Sequence, residues 1–260
     1  MDLPDVRQLF DLSGRVALVT GGVRGLGFEM ARAFAAAGAH VVVSSRKPVD
    51  CEAAAADIRA QGGEASGFAC HMGDPAQVRA LAEHLRDSRG RLDILVNNAA
   101  AALPYGLDDA TEELFDKSFA VNARGPLLLV KALRPLLAAS PSATRMGASI
   151  INVLSMGAFR GGTASLGYGA SKAALWHMTR SLAATLAPEG IRVNALAPGP
   201  MATRMLMTGD SDLLQRSAQG TLLKRIADPG EIMGPALYLA SDASSFVTGS
   251  VVVVDGGWLA

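Results

Sequence analysis

Short apolar runs alternate along the chain with longer segments in which apolar residues recur at helical spacing. The short runs are rich in β-branched residues and apolar throughout, which is typical of strands covered on both faces of a parallel sheet. Regular alternation of strand and helix predicts right-handed crossovers, and therefore a doubly wound α/β fold. The predicted strands are Val16–Thr20, His40–Ser44, Ala65–Ala69, Leu92–Val96, Ala148–Leu154, Ile191–Ala195 and Ser250–Val254.

The longer segments between these strands predict the helices that flank the sheet. Gly38 suits the end of the first helix, and Pro75 suits the first turn of the third. Because about seven strands use the whole chain without a linker or a break in composition, we expect residues 1–260 to form one domain. The predicted helices are Leu26–Ala37, Asp50–Gln61, Pro75–Ser88, Thr111–Ala139, Leu166–Ala187, Met201–Ser217 and Pro229–Ala240.

Composition supports a globular protein and narrows the classes of partner. Half of the residues are hydrophobic and 18% are charged, which excludes a disordered chain. The 24 basic and 24 acidic residues cancel, so we expect no nucleic-acid surface, and the low net charge permits self-association. The chain starts without an apolar leader and has no apolar run of about 18 residues, which predicts no membrane contact and a cytoplasmic location.

Cysteine and histidine usage gives no indication of a metal. Cys51 and Cys70 are the two cysteines, and they do not form a Cys-x-x-Cys pair. The four histidines are scattered and have no ligand spacing beside suitable partners. We therefore expect two reduced thiols and no structural metal.

A glycine-rich segment, Thr20–Gly27, lies between the first predicted strand and the first predicted helix. Gly21, Gly25 and Gly27 suit a tight turn, close approach of the backbone to a pyrophosphate, and close packing of helix on sheet. The spacing differs from the usual Gly-x-Gly-x-x-Gly, but strand before and helix after is the context that such a motif requires. This segment predicts dinucleotide binding on a Rossmann-like fold.

The end of the second strand indicates which dinucleotide binds. A cofactor with a free ribose 2′-hydroxyl normally meets an Asp or Glu there, and residues 41–47 contain neither. Instead Arg46 could bind a 2′-phosphate, with Ser45 donating beside it and Arg24 closing over the same phosphate. The alternative is that Arg46 and Lys47 form a solvated basic end. We expect NADP(H), with NAD(H) the less favoured cofactor.

Tyr168 and Lys172 lie four residues apart, which places both on one face of the predicted helix Leu166–Ala187. An ammonium there favours phenolate and would lower the pKa of Tyr168 from its free value of about 10. By itself, however, a Tyr-x-x-x-Lys pair on a helix usually has no catalytic role.

Together with Asn97–Ala100 after the fourth strand, the glycine turn and this pair make the chain resemble the short-chain dehydrogenase/reductase family in its classical form, over residues 12–258. The resemblance implies four catalytic residues. Ser155 would donate to the substrate carbonyl, and Tyr168 would be the general acid/base. Lys172 would activate Tyr168 and bind the nicotinamide ribose, and the main-chain carbonyl of Asn122 would hold a proton-relay water.

Pro126 adds a physical argument for Asn122. It lies four residues further on and has no N–H, so the helical hydrogen bond to the Asn122 carbonyl cannot form. That carbonyl is then available to a water, although Pro126 could also simply kink the long helix.

The resemblance also implies contacts to the rest of the cofactor. Pro198–Thr203 resembles the turn that seats the nicotinamide carboxamide, with Thr203 over the diphosphate. Two departures from the family are Ala100, where glycine is more usual, and His71, where Asp or Asn often contacts adenine; His71 could stack, accept a hydrogen bond, or be a plain polar residue. The expected cofactor-binding residues are Gly21, Arg24, Gly25, Leu26, Gly27, Ser45, Arg46, Met72, Asn98, Ala99, Tyr168, Lys172, Pro198, Gly199, Met201 and Thr203.

The implied reaction is hydride exchange between a nicotinamide and a carbonyl carbon. In this family a segment near 200–225 covers the substrate, and here it carries Met201, Met205, Leu206, Met207, Leu213 and Leu214, which could instead be helix core. The opposite wall would be Leu103, Pro104, Tyr105 and Phe159, and Arg160 and Arg204 could meet a charged group.

We therefore expect an apolar ketone, aldehyde or secondary alcohol as substrate, with a 3-oxoacyl thioester on a carrier protein as the rival. A catalytically silent dinucleotide sensor or scaffold is the alternative of another class. The resemblance implies a homotetramer built from the helices Thr111–Ala139 and Leu166–Ala187 and the last strand, and the sequence does not separate dimer from tetramer.

Overall fold

The computed structural model describes residues 5–140, 147–162, 166–208 and 211–260. Seven parallel strands form one sheet in the order β3-β2-β1-β4-β5-β6-β7, which confirms the predicted doubly wound Rossmann-like α/β fold. Since β1 neighbours both β2 and β4, the strand order reverses beside β1, and the crevice at this point is where such sheets bind ligands. The strands are β1 Val16–Thr20, β2 His40–Ser45, β3 Glu64–Ala69, β4 Ile94–Asn97, β5 Ser149–Val153, β6 Arg192–Pro198 and β7 Val251–Val254.

Helices cover both faces of the sheet. On one face Phe34 and Met30 of the first helix are fully buried against β1 and β2, and on the other face Leu81, Leu129 and Leu133 are fully buried. Burial on both faces explains why the strands are apolar throughout instead of alternating. The helices are α1 Gly25–Ala36, α2 Pro48–Ala60, α3 Pro75–Arg89, α4 Glu112–Phe119, α5 Gly125–Ala138, α6 Leu166–Leu186, α7 Arg204–Met207, α8 Ser211–Gly220 and α9 Met233–Ala240.

The prediction of one continuous helix over Thr111–Ala139 is wrong. Thr111–Ala139 is divided into α4 and α5 by a π-helical turn, Ala120–Arg124, in which the N–H of Gly125 donates to the carbonyl of Ala120. Pro126 explains the change of winding, because it cannot donate to the carbonyl of Asn122. The turn places Asn122 at the junction of the two helices.

Two predicted helices near the C-terminus are shorter than expected. The segment Met201–Ser217 contains α7 and most of α8, which continues to Gly220, and residues 209–210 are outside the described residues. The segment Pro229–Ala240 begins as a short 3-10 turn, Pro229–Ile232, before α9. Within the described ranges no helix has both the length and the apolarity to cross a membrane.

Candidate active site

The glycine-rich turn follows β1 at the point where the strand order reverses, and α1 begins inside it at Gly25. Gly21 and Gly25 have φ values of +64° and +54°, a region that side chains disfavour. A Cβ on Gly27 would collide with the carbonyl oxygen of Gly21 and the side chain of Asn98, so a side chain does not fit there. The turn therefore presents bare backbone and a helix N-terminus at one place, which suits an anion.

Asn98 holds this turn against the end of β4. Its Nδ2 donates to the carbonyl oxygens of Thr20 and Gly21, at 2.9 and 3.1 Å. The hydroxyl of Thr20 donates to the carbonyl of Val96 at 3.1 Å and accepts from the N–H groups of Asn98 and Ala99. Sequence reasoning expected Asn98 and Ala99 at the cofactor and gave Thr20 no role. The structure shows that all three fix the shape of the glycine turn.

The predicted Ser155, Tyr168 and Lys172 lie together at the carboxyl end of β5. Ser155 follows this strand, caps a short 3-10 turn by accepting from the N–H of Gly157 at 3.2 Å, and hydrogen-bonds Tyr168. Lys172 is 1% exposed, and its Nζ donates to the carbonyl of Val153 at 2.6 Å. The same Nζ lies 5.8 Å from the centroid of the Tyr168 ring.

The predicted effect of Lys172 on the pKa of Tyr168 is wrong for this structure. Burial raises the pKa of Tyr168 above its usual value, and the hydrogen bond from Ser155 opposes this rise. Burial also lowers the pKa of Lys172 to about 8. Burial therefore decides the direction of the shift in the pKa of Tyr168, and the Lys172 ammonium donates to the Val153 carbonyl beside the ring. Tyr168 is thus held as a neutral phenol near neutral pH.

Asn122 is fully buried in the π-helical turn, and hydrogen bonds account for its whole side chain. Its Nδ2 donates to the carbonyl of Ala101 and to the hydroxyl of Ser171, both at 3.0 Å, and its Oδ1 accepts from the N–H of Ala101 at 2.8 Å. The hydroxyl of Ser171 in turn donates to the carbonyl of Tyr168 at 2.7 Å. Asn122 therefore ties the loop after β4 to α6, and Ser171, which sequence reasoning passed over, completes the link.

A second buried chain of side chains fixes α6 to the sheet. Asn97 donates to Asn152 at 2.8 Å, and Asn152 donates to Thr179 of α6 at 2.9 Å. All three residues are at most 2% exposed. Since α6 carries Tyr168 and Lys172, these bonds limit how far the two side chains can move relative to the strands.

The expected 2′-phosphate residues come from two places: Ser45 and Arg46 lie at the carboxyl end of β2, and Arg24 in the glycine turn lines a groove of about 550 Å³. Ser45 is half-buried at the strand end, and Arg24 and Arg46 are exposed. Lys47, rather than Arg46, lines the groove, and two carboxylates that sequence reasoning missed, Asp50 and Asp57, reach it from α2. The groove is lined by Val23, Arg24, Phe28, Lys47, Asp50, Ala53, Ala54, Asp57 and Arg204.

Residues after β6 bring a further segment onto the glycine turn. Gly199 donates to the carbonyl of Val254 at 2.9 Å and follows Pro198, the last residue of β6. The Cγ2 atom of Thr203 lies 3.6 Å from the position a Cβ would take on Gly25, so this segment packs directly on the turn. Met201 is 3% exposed in the hydrophobic core, which favours a core role for its side chain.

Two other predicted contacts are altered. Met72 is 5% exposed and packs in the core, and its carbonyl lies against Gly125, where a side chain would not fit. His71 accepts the N–H of Gly73 on Nδ1 at 3.0 Å, so this nitrogen is already used as an acceptor. Leu26, at the start of α1, is half-buried and packs against the core.

The predicted substrate walls are mostly accessible, with one correction. Met207, Leu213 and Phe159 are 50%, 41% and 40% exposed. Tyr105 is 5% exposed, and its ring lies inside the protein because Gly167 has no side chain and leaves space for the hydroxyl. The side chain of Met205 lies outside the described residues. Within the described ranges, no three His, Cys, Asp or Glu residues cluster so as to hold a metal.

Comparison with known proteins gives consistent results along nearly the whole chain. Residues 21–259 match a family model described as enoyl-(acyl carrier protein) reductase. Human dehydrogenase/reductase SDR family member 4 is 38% identical over 250 residues, which cover 95% of this chain and 88% of that protein.

Solved structures show the same similarity in three dimensions. The RhlG/NADP active-site complex of Pseudomonas aeruginosa superposes with a TM-score of 0.92 at 34% identity and covers 96% of this chain and 98% of that one. A gluconate 5-dehydrogenase from Burkholderia cenocepacia, in complex with NADP and tartrate, gives a TM-score of 0.90 at 32% identity, with 98% of each chain covered.

Proposed function

Because the chain belongs to the short-chain dehydrogenase/reductase family of oxidoreductases, we propose that it is an NADP(H)-dependent enzyme that reduces an apolar ketone or aldehyde, or oxidises the corresponding secondary alcohol. One observation carries the proposal: Ser155, Tyr168 and Lys172 meet at the carboxyl end of β5, on the same edge of the sheet as the glycine turn. Parallel strands end at this edge, which is where doubly wound folds bind ligands.

The residues on this edge fit a nicotinamide dinucleotide. The glycine turn offers backbone that a Cβ at Gly27 would block, next to the N-terminus of α1. Thr203 packs on the same turn from the other side, and Arg24 and Lys47 supply positive charge nearby. A bound nicotinamide supplies the hydride acceptor or donor, which no side chain of the chain can provide.

The side chains of the site would handle the substrate oxygen and the proton. Ser155 and Tyr168 would donate hydrogen bonds to the carbonyl oxygen, where negative charge develops during reduction. Tyr168 would be the proton donor, because burial raises its pKa and the phenol therefore carries its proton near neutral pH. Lys172, with a pKa near 8 and a first hydrogen bond to Val153, would pass a proton on through its remaining N–H groups.

Asn122 would complete the proton path through its main chain. Its side chain is fully used by Ala101 and Ser171, so it cannot itself contact a substrate. Its carbonyl cannot accept from Pro126, which leaves it available to a relay water. Asn122 would therefore have two roles. Its side-chain amide fixes the π-helical turn, and its main-chain carbonyl would hold the relay water.

The preference for NADP(H) is supported by charge at the end of β2. The turn from Ser45 to Lys47 carries no carboxylate, and Arg24, Arg46 and Lys47 provide cations near the expected 2′-phosphate. Both of the solved relatives named above contain NADP.

An apolar substrate is supported by exposed apolar side chains on the segments expected to form the substrate walls. Met207, Leu213 and Phe159 are all at least 40% exposed, and flexible Met side chains adapt to irregular apolar ligands. A 3-oxoacyl thioester is the second candidate, since the matching family model is described as enoyl-(acyl carrier protein) reductase, a description that names an acyl group on the same kind of carrier. A silent dinucleotide sensor is disfavoured, because the complete set of four expected catalytic residues is present.

We further propose one domain, residues 1–260, with residues near 200–225 covering the substrate, and a homotetramer. Phe115 on α4, Leu127 on α5 and Val253 on β7 are large apolar side chains at least 42% exposed, on the elements expected to form the subunit contacts. Light scattering after size exclusion should give the mass of four chains, and a monomer would contradict this part.

The proposed activity is tested by a screen of pooled ketones, aldehydes and 3-oxoacyl thioesters with NADPH, and of secondary alcohols with NADP⁺, followed at the nicotinamide absorbance. Turnover of an apolar carbonyl, lost in Tyr168→Phe, is the expected result. Preference for the thioester would favour the second candidate. Tight binding of NADPH without any turnover would instead indicate the sensor.

A further inference from the structure

The sequence suggested only one role for Arg204, contact with a charged group of the substrate. It is the first residue of α7 and follows Thr203, which packs on Gly25 of the glycine turn. Although the substrate-covering segment begins here, Arg204 lines the same groove as Arg24 and Lys47. Three separate segments of the chain thus place a cation on one groove, namely the glycine turn, the end of β2 and the start of α7.

These three cations are available to a ligand. All three side chains are exposed, and within the described part of the chain none of them forms an ion pair. Two carboxylates, Asp50 and Asp57, line the same groove, so it carries three positive and two negative side chains. Lys47 is two residues past the end of β2, whereas Asp50 and Asp57 lie further along, within α2. Of the charged side chains that line the groove, Lys47 is therefore nearest in sequence to the position that reads the ribose 2′-substituent.

On the basis of the proposed NADP(H) function, we propose that Arg204 binds the 2′-phosphate of the cofactor. The phosphate that distinguishes NADP(H) from NAD(H) then also holds the start of the substrate-covering segment against the glycine turn. A dianionic phosphate has enough oxygens for several arginine and lysine donors at once. The diphosphate has its own site on the backbone of the glycine turn and the N-terminus of α1. Arg204 therefore distinguishes cofactors with and without the 2′-phosphate, whereas loss of a diphosphate contact would affect both.

The test compares two nicotinamide-free probes that differ only in the 2′-phosphate, 2′,5′-ADP and 5′-AMP, by calorimetry on the full chain. Arg204→Gln should weaken the binding of 2′,5′-ADP about tenfold, since the lost hydrogen bonds are charge-assisted but exposed to water. Binding of 5′-AMP should be unchanged. Arg216→Gln is the matched control, because Arg216 lies in α8 outside the groove and pairs with Asp212 on the surface. This control should leave both affinities unchanged.

Hydrogen exchange of the peptide that covers α8 tests the coupling to the substrate-covering segment. In the wild type and in Arg216→Gln, 2′,5′-ADP should slow exchange in Ser211–Gly220 more than 5′-AMP does. In Arg204→Gln the two probes should give equal exchange. Equal exchange with both probes in the wild type would overturn the coupling.

The outcomes separate this inference from the proposed cofactor preference. If wild-type protein binds 2′,5′-ADP no better than 5′-AMP, the NADP(H) preference itself fails. If the wild type discriminates and Arg204→Gln discriminates equally well, the preference stands and the role of Arg204 is wrong. If Arg204→Gln weakens both probes equally, Arg204 contacts the 5′-phosphate that they share, and the inference is likewise overturned.

Discussion

The two ends of the proposed site are built in opposite ways. At the catalytic end, Asn122, Ser171 and Lys172 are at most 1% exposed and their polar groups bond to neighbouring protein atoms. At the phosphate end, Arg24 and Arg204 are exposed, and in the described ranges they make no ion pairs. The catalytic end is therefore preorganised in the absence of a ligand, whereas the phosphate end consists of solvent-exposed cationic side chains.

This difference sets the size of the effects that mutations should have. Electrostatic interactions are strong in a buried site, where preorganised donors need no rearrangement during the reaction. Exposed charges are screened by solvent and salt, and each contributes modestly. Substitutions at the catalytic end should therefore have the largest effects, on the rate, whereas those at the phosphate end should shift the choice of cofactor by smaller factors.

The largest effect is expected from Tyr168→Phe, which removes the proton donor and keeps the ring. We expect kcat to fall by about 10²–10⁴-fold, the usual contribution of general acid catalysis, while the Kd for NADPH changes little. Tyr105→Phe is a matched control, because Tyr105 is buried beside α6 and its hydroxyl has no hydrogen-bond partner among the described residues. A Tyr168→Phe enzyme with kcat close to the wild-type value would refute the assignment.

A large effect on stability is expected from Lys172, through pH. Burial lowers its pKa from 10.5 to about 8, so the unfolded chain binds more protons than the folded chain between these two values. The free energy of unfolding should therefore rise with pH across this window, by about 1–3 kcal/mol, and stay level below it. Denaturant titrations of wild type and Lys172→Met at several pH values would measure the contribution as their difference.

The sign of this result is what tests the burial of Lys172. Below pH 8 the amine is charged in both states, so the difference between the two proteins should not vary with pH there. If the wild type instead lost stability relative to Lys172→Met as the pH rose from 8 towards 10.5, the ammonium would have to be stabilised, and not desolvated, by the fold.

A smaller effect is expected at the end of β2. Ser45→Asp would place a carboxylate where it can accept from a ribose diol and repel a 2′-phosphate. We expect the ratio of kcat/KM for NADPH to that for NADH to fall by about 10- to 100-fold. Ser45→Ala removes the hydroxyl without adding charge and should lower the ratio far less. A wild type that uses both cofactors equally would contradict the premise.

The sequence was sufficient to predict the features that depend on local pattern. Apolar runs predicted all seven strands, and the glycine spacing between β1 and α1 predicted the turn that the structure shows. Pro126 was the signal for the break in the long helix, although its consequence, a π-helical turn, could not be read from a residue that only removes one hydrogen bond.

Features that depend on which segments meet in space could not be predicted. Asp50 and Asp57 lie in the helix after β2. No local sequence pattern indicates that they line the same groove as Arg204, which is far along the chain. Similarly, the spacing of Tyr168 and Lys172 predicts a shared helix face, but the carbonyl of Val153 decides where the ammonium points. The pKa shifts follow from burial, which is a property of the whole fold.

The smallest effect is expected from Asp50, whose carboxylate lines the groove with Arg24, Lys47 and Arg204. Asp50→Asn removes a negative charge facing the expected 2′-phosphate, so the affinity for 2′,5′-ADP should rise by about two- to threefold at low salt and less at high salt. Glu52→Gln makes the same change of charge on the same helix, but Glu52 does not line the groove and pairs with Arg59. If both variants raise the affinity for 2′,5′-ADP equally, the effect comes from net charge alone. A rise confined to Asp50→Asn indicates that the Asp50 carboxylate, within the groove, weakens phosphate binding at the exposed end of the site.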